Sequence, residues 1–182
     1  MAQLKLFMIL LGCKPPGRHV EQHDFFFGIA ASLNDLADEM QAFWPEAQGR
    51  IHIDGWREVN TVEGYQVKIV PKQEASSQSK KLFFINLGGY QPNRFEEQHY
   101  VILTAKDNSA AALKDAKSTL FFQNSNSSHV DDKYGIDVDD IYQIEDILSP
   151  GVKEQYQIEL TPADNLVEDE LHLGYLKMSL LK

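Results

Sequence analysis

The 182-residue chain has one cysteine, Cys13. It therefore forms no internal disulfide, and nothing in it demands an oxidising compartment. Positive charge is also scarce: 17 Lys+Arg stand against 27 Asp+Glu, a formal net charge of −10. Nucleic acids and anionic membranes select a basic face, so neither is an expected partner. No apolar run approaches the roughly 20 residues of a membrane span. The Walker-type loop, Gly-x-Gly-x-x-Gly, Gly-x-Ser-x-Gly and His-Glu-x-x-His are all missing, which removes the common phosphate, dinucleotide, serine-hydrolase and zincin signatures. What remains is an ordinary globular composition, 43% apolar and 24% charged, with length for one domain or two small ones.

The N-terminus imitates a lipoprotein signal, with Leu10-Leu11-Gly12-Cys13 at the end of a short apolar stretch. The stretch is at the short limit of a signal core, and a single Lys5 lies within it. Its pattern also returns in mid-chain, where no signal could sit: Leu6-Phe7-Met8-Ile9-Leu10-Leu11-Gly12 recurs as Leu82-Phe83-Phe84-Ile85-Asn86-Leu87-Gly88. Both stretches are expected to be buried strands.

The match continues at a shift of 76 from Leu6–His23 to Leu82–His99. Ten of the 18 pairs are identical: Leu6/Leu82, Phe7/Phe83, Ile9/Ile85, Leu11/Leu87, Gly12/Gly88, Pro16/Pro92, Arg18/Arg94, Glu21/Glu97, Gln22/Gln98 and His23/His99. Two copies suggest a pseudo-twofold pair rather than a solenoid, which needs at least three. Each copy reads as strand, Gly/Pro loop, strand, helix and further strands. Ser32 and Asn108 supply N-caps at equivalent places. Leu33, Leu36, Met40 and Phe43 form one helical stripe, and Leu113, Ala116 and Leu120 form its counterpart.

The expected fold is α+β: two ββαββ-type repeats, mainly antiparallel, with one main helix per repeat and a C-terminal extension. The units are residues 1–71, a polar linker 72–81, a second repeat 82–162 and the extension 163–182, together one compact fused body. Two registers compete late in the second copy. The preferred one matches Tyr65–Pro71 with Tyr156–Pro162, makes Val138–Ile147 the third strand, and leaves an inserted acidic loop at 123–137.

Two constellations carry candidate chemistry. Glu21-Gln22-His23 and Glu97-Gln98-His99 place a carboxylate two residues from an imidazole, on one face of a strand. His23, His99, Glu21 and Glu97 are thus candidate acid–base residues, set against a structural role at the strand start. The second constellation follows Ser128. Asp131 to Asp146 holds seven carboxylates and one lysine. EF-hand spacing fails there, because Ile136 or Asp137 falls where Gly is needed. His129, Asp131 and Asp137 could instead supply imidazole and carboxylate to a divalent ion, set against a solvated acidic edge.

Leu6–Pro16, Glu21–His23, His52–Tyr65 and Ser128–Asp140 together resemble the bacterial domain-of-unknown-function family numbered 1543, over about residues 4–162. The resemblance implies tandem units and a bacterial, intracellular setting; the family has no assigned activity, cofactor or catalytic residues to carry over. The expected function is a non-catalytic cytoplasmic binding or protein-interaction module for a small molecule or protein, without an obligate cofactor. The alternative is a metal-assisted enzyme, hydrolase in class, using the acidic-loop residues or the His23/His99 pair. A structural subunit whose tail completes a homodimer is the third reading.

Overall fold

The computed structural model describes residues 3–73, 78–90, 93–118 and 137–181. The chain divides into two units, residues 1–74 with 148–182, and residues 75–147.

In the first unit, β1 (Lys5–Cys13) is apolar on both faces, and that composition puts it inside a sheet. It is flanked by β2 (Gln22–Ala30) and β3 (His52–Glu58), with β10 (His172–Lys177) outside β3; all pairs are antiparallel. Phe7, Ile9, Leu11 and Cys13 face one core together with Leu33, Leu36 and Met40. Those last three lie on a 3-10 turn (Leu33–Leu36) that runs into α1 (Ala37–Phe43). The Asp35 carboxylate accepts from the Ser32 amide at 2.9 Å and from its hydroxyl at 2.8 Å, satisfying an otherwise orphaned N–H of the first turn. Pro45 then begins a new 3-10 turn. Phe43, expected on the buried stripe, is 43% exposed and sets its edge against Phe26.

A second sheet has the order β4 (Thr61–Val62), β5 (Tyr65–Pro71), β9 (Tyr156–Pro162). The hairpin between β4 and β5 turns through Glu63 and Gly64, both at positive φ. β9 does not close a hairpin in the second unit as the preferred register implied. It pairs with β5, running from Tyr65↔Pro162 to Pro71↔Tyr156. The two sequences matched for their likeness are thus each other's partners, and their register is symmetrical about Lys68↔Glu159. Residues 148–162 accordingly group with the first unit.

The second unit has β6 (Lys81–Tyr90) at its centre, between β7 (Glu97–Lys106) and β8 (Asp137–Gln143). Helix α2 (Ser109–Ala116) starts where Asn108 Oδ1 accepts from the Ala111 amide at 2.9 Å. Its buried stripe is Ala112 and Ala116, both 0% exposed, against Phe83, Ile85 and Leu87. Leu113, expected on the buried stripe, is only half-buried, because the face turned to the sheet is the one that carries Ala112 and Ala116. Leu120 lies outside the described residues. The third strand begins as expected but ends at Gln143, where one-turn α3 (Ile144–Ile147) follows. In the first unit, Pro150 opens α4 (Pro150–Gln155) at a position where its missing amide costs nothing.

Matching positions keep matching partners in the two units. Leu6↔Ile29 and Gly12↔His23 in the first correspond to Leu82↔Ala105 and Gly88↔His99 in the second. The third strands correspond at an offset of 85, with Phe7↔Glu58 and Phe83↔Gln143. The C-terminal extension supplies β10 and a 3-10 turn, and Met178 and Leu181 enter the first unit's core.

Candidate metal centre

Gly12 stands directly opposite His23 on β2 and His52 on β3. Opposed residues of antiparallel strands share a face, so two imidazoles flank a position that has no side chain. A Cβ at Gly12 would collide with His52 Nε2 and Asp54 Oδ2. Asp54, two residues on from His52, shares this face and sits in a β-bulge. Leu10 pairs with Gly55 and Leu11 with Ile53, leaving Asp54 as the extra residue of β3, and bulges of this kind re-aim side chains. Glu21, just before β2, completes the group.

Asp54 Oδ2 lies 3.2 Å from His23 Nε2 and 3.3 Å from His52 Nε2, and Glu21 Oε1 lies 3.5 Å from each of the same nitrogens. Charge-assisted N–H···O bonds sit near 2.7–2.9 Å, so all four separations are long for that purpose. Asp54 Oδ2 is buried and accepts no hydrogen bond from the described residues. Bonds of about 2.0–2.2 Å to a tetrahedral cation would set donors about 3.3–3.6 Å apart. Four of the six donor–donor edges have lengths close to that range, but the set whose donors all lie within 4.8 Å of one another is Glu21, His52 and Asp54, and His23 sits wider than a tetrahedral shell sets it. The His52 side chain is 9% exposed, whereas those of His23 and Glu21 are 46% and 44% exposed, so the group is walled on one side and open on the other.

The second unit repeats the plan with different chemistry. Gly88 stands opposite His99 and Asp137. Asp139 is the bulge residue of β8, since Asn86 pairs with Asp140 and Leu87 with Val138. A Cβ at Gly88 would collide with Asp139 Oδ2 and come within 2.7 Å of Glu97 Oε1. Donor atoms of Glu97, His99 and Asp139 lie within 4.8 Å of one another, as do those of Glu21, His52 and Asp54. His99 turns Nε2 to Glu97 at 3.7 Å and Nδ1 to Asp139 at 3.3 Å. One imidazole thus spans two carboxylates, where the first unit aims two imidazoles at a common point.

Of the residues expected from the sequence, Glu21 meets His23 and Glu97 meets His99, each pair within its own unit. His129 and Asp131 lie outside the described residues. Asp137 opens β8 opposite Gly88, and its side chain lies outside them too. The residues that sequence reasoning missed are His52, Asp54 and Asp139. Their signal was the alternation His52-Ile53-Asp54, which puts both donors on one strand face, together with the offset of 85 that aligns Ile53-Asp54 with Val138-Asp139.

Cys13, next to Gly12 on β1, is fully buried. Burial pushes its thiol above the ordinary 9.0, the Glu21 carboxylate adds to the rise, and Arg50 opposes it. A thiol held protonated in this way is a core side chain and a poor nucleophile.

These elements define an α+β protein of antiparallel sheets with a His/carboxylate cluster over a glycine of an inner strand in each unit. Residues 18–69 match the model of the family described as Domain of Unknown Function (DUF1543), and that span contains Glu21, His23, His52 and Asp54. No curated protein matches the chain. The fold is similar to that in the crystal structure of a protein Il1583 from Idiomarina loihiensis, at a TM-score of 0.64 and 19% identity, over 96% of this chain and 98% of that one.

Two predictions follow from this geometry. An exposed Gly→Ala change in an extended strand is ordinarily neutral or stabilising. Gly12→Ala instead loses about 1–3 kcal/mol in urea unfolding, because the new methyl must displace His52 and Asp54. For Cys13, the folded chain binds its proton more tightly than the unfolded chain does. Its contribution to stability is complete below pH 9.0 and is lost as pH rises above that value. Unfolding measured from pH 8 to about 10.5 therefore falls more steeply for the natural chain than for Cys13→Ala; parallel slopes would contradict this.

Proposed function

We propose that this protein is a non-catalytic binding module for a divalent cation of the zinc class, held by Glu21, His23, His52 and Asp54. The observation that carries this reading is the set of four imidazole–carboxylate separations of 3.2–3.5 Å around a buried Asp54 oxygen. Two carboxylates brought together repel one another unless a cation or proton intervenes. A mixed set of two imidazoles and two carboxylates suits a borderline cation better than calcium or magnesium, which prefer oxygen alone.

Binding is favoured over catalysis by the number of donors. Glu21, His52 and Asp54 converge as three donors, and His23, 3.2 Å from Asp54 Oδ2, closes in as the fourth in this reading. Four protein ligands fill a tetrahedral shell, whereas hydrolytic zinc sites keep one position for water. Cys13, the one thiol nearby, is buried and held protonated, which adds no nucleophile. A cytoplasmic setting fits a single free thiol, and no helix among the described residues is long and apolar enough to cross a membrane. The two units are read as copies of one ancestral unit; the matched registers of β1–β2 with β6–β7 and of β1–β3 with β6–β8 support this.

The test is metal analysis of untagged protein, followed by titration of the stripped chain with Zn2+ and Co2+. The expected result is about one tightly held equivalent, lost in His52→Ala and in Asp54→Asn and retained in His99→Ala. Tight binding that survives both first-unit substitutions, or no binding at all, would overturn the assignment.

A further inference from the structure

We propose that Tyr175 is a positioning residue for this ion site, aimed at His52 by a glycine bulge in the C-terminal strand. The proposal rests on reading the Gly12 cluster as an ion site, and it concerns a segment that the cluster's own strands do not supply.

β10 runs along the outer edge of β3, with Lys177 opposite His52, Leu176 opposite Ile53 and Leu173 opposite Gly55. Between these pairs β3 contributes one residue, Asp54, and β10 contributes two, Gly174 and Tyr175. The bulge in β10 therefore sits against the bulge that delivers Asp54. Gly174 has φ +127, a conformation that a side chain would strain. The result is that the Tyr175 ring lies over the His52 ring, with centroids 4.5 Å apart and an angle of 37° between the planes.

The strand is pinned on both sides of this bulge. Before it, His172 stacks on Trp56 at 3.9 Å and 11°. After it, Leu176 packs against the first unit's core, and Met178 and Leu181 lie within that core. Tyr175 is thus a rigidly carried ring, although it is itself 63% exposed. A phenol in that place restricts the rotation of His52, keeps water from one face of the imidazole, and leaves the His23 side as the route for the ion. Groups that orient a metal-bound histidine commonly change affinity 10- to 100-fold. Stacking needs the ring and not the hydroxyl.

The experiment uses the full chain loaded with Zn2+ and measures affinity and release rate by competition with a chromophoric chelator. Tyr175→Ala is expected to bind about 10–100-fold more weakly, chiefly through faster release, while Tyr175→Phe stays within about twofold of the natural chain. Gly174→Val moves in the direction of Tyr175→Ala. The melting temperature of the metal-free protein is unchanged in Tyr175→Ala, because so exposed a ring contributes little to the core. A natural chain that binds tightly and a Tyr175→Ala variant that binds and releases identically would overturn the role of Tyr175 alone. Equal losses of affinity and of metal-free stability would also overturn it, since the ring would then be merely structural. A natural chain that binds no ion would overturn the cation-module reading as well.

Discussion

The side chain missing at position 12 is the constraint on which the rest of the site depends. β1 is an inner strand of its four-stranded sheet and is largely buried. At Gly12 the packing stops, and the neighbouring strands fill the space with His23 and His52, one from each side. Any larger residue would occupy the volume where His52 and Asp54 meet. The sheet therefore holds polar donors at a point where a fully apolar strand would have extended the core.

Two bulges turn that gap into a directed cluster. Asp54 shares the face of His52 and, as the extra residue of β3, has no partner on β1; the bulge of β10 lays Tyr175 on the outer side of His52. The second unit has the same glycine and the same bulge. Its single imidazole bridges Glu97 and Asp139, so the same scaffold carries different donor chemistry there.

Much of the fold was legible because the apolar pattern is strong. The recurrence of Leu6–Gly12 at Leu82–Gly88 located both central strands, and Ser32 and Asn108 located the starts of the helical segments. The Glu-x-His spacing was enough to bring Glu21 to His23 and Glu97 to His99. The partner of β9 was not legible. Likeness between Tyr65–Pro71 and Tyr156–Pro162 is compatible with equivalent places in two units and equally with pairing to each other, and sequence similarity does not distinguish them. Asp54 and Asp139 were obscured for a related reason. A bulge is defined by the register of the facing strand, and that register appears only when β1 and β3, or β6 and β8, are seen together. Tyr175 belongs to a tail with no counterpart in the first repeat, so internal comparison gave no signal for it.

The most direct test of the central claim is the X-ray absorption spectrum of the zinc-loaded protein at the zinc edge. The geometry at Gly12 requires an N/O shell near 2.0–2.2 Å with outer-shell imidazole scattering, and no such protein-bound zinc spectrum in His52→Ala, which loses the ion. A six-coordinate oxygen shell without imidazole scattering, or an imidazole-bearing shell that His52→Ala retains, would contradict it.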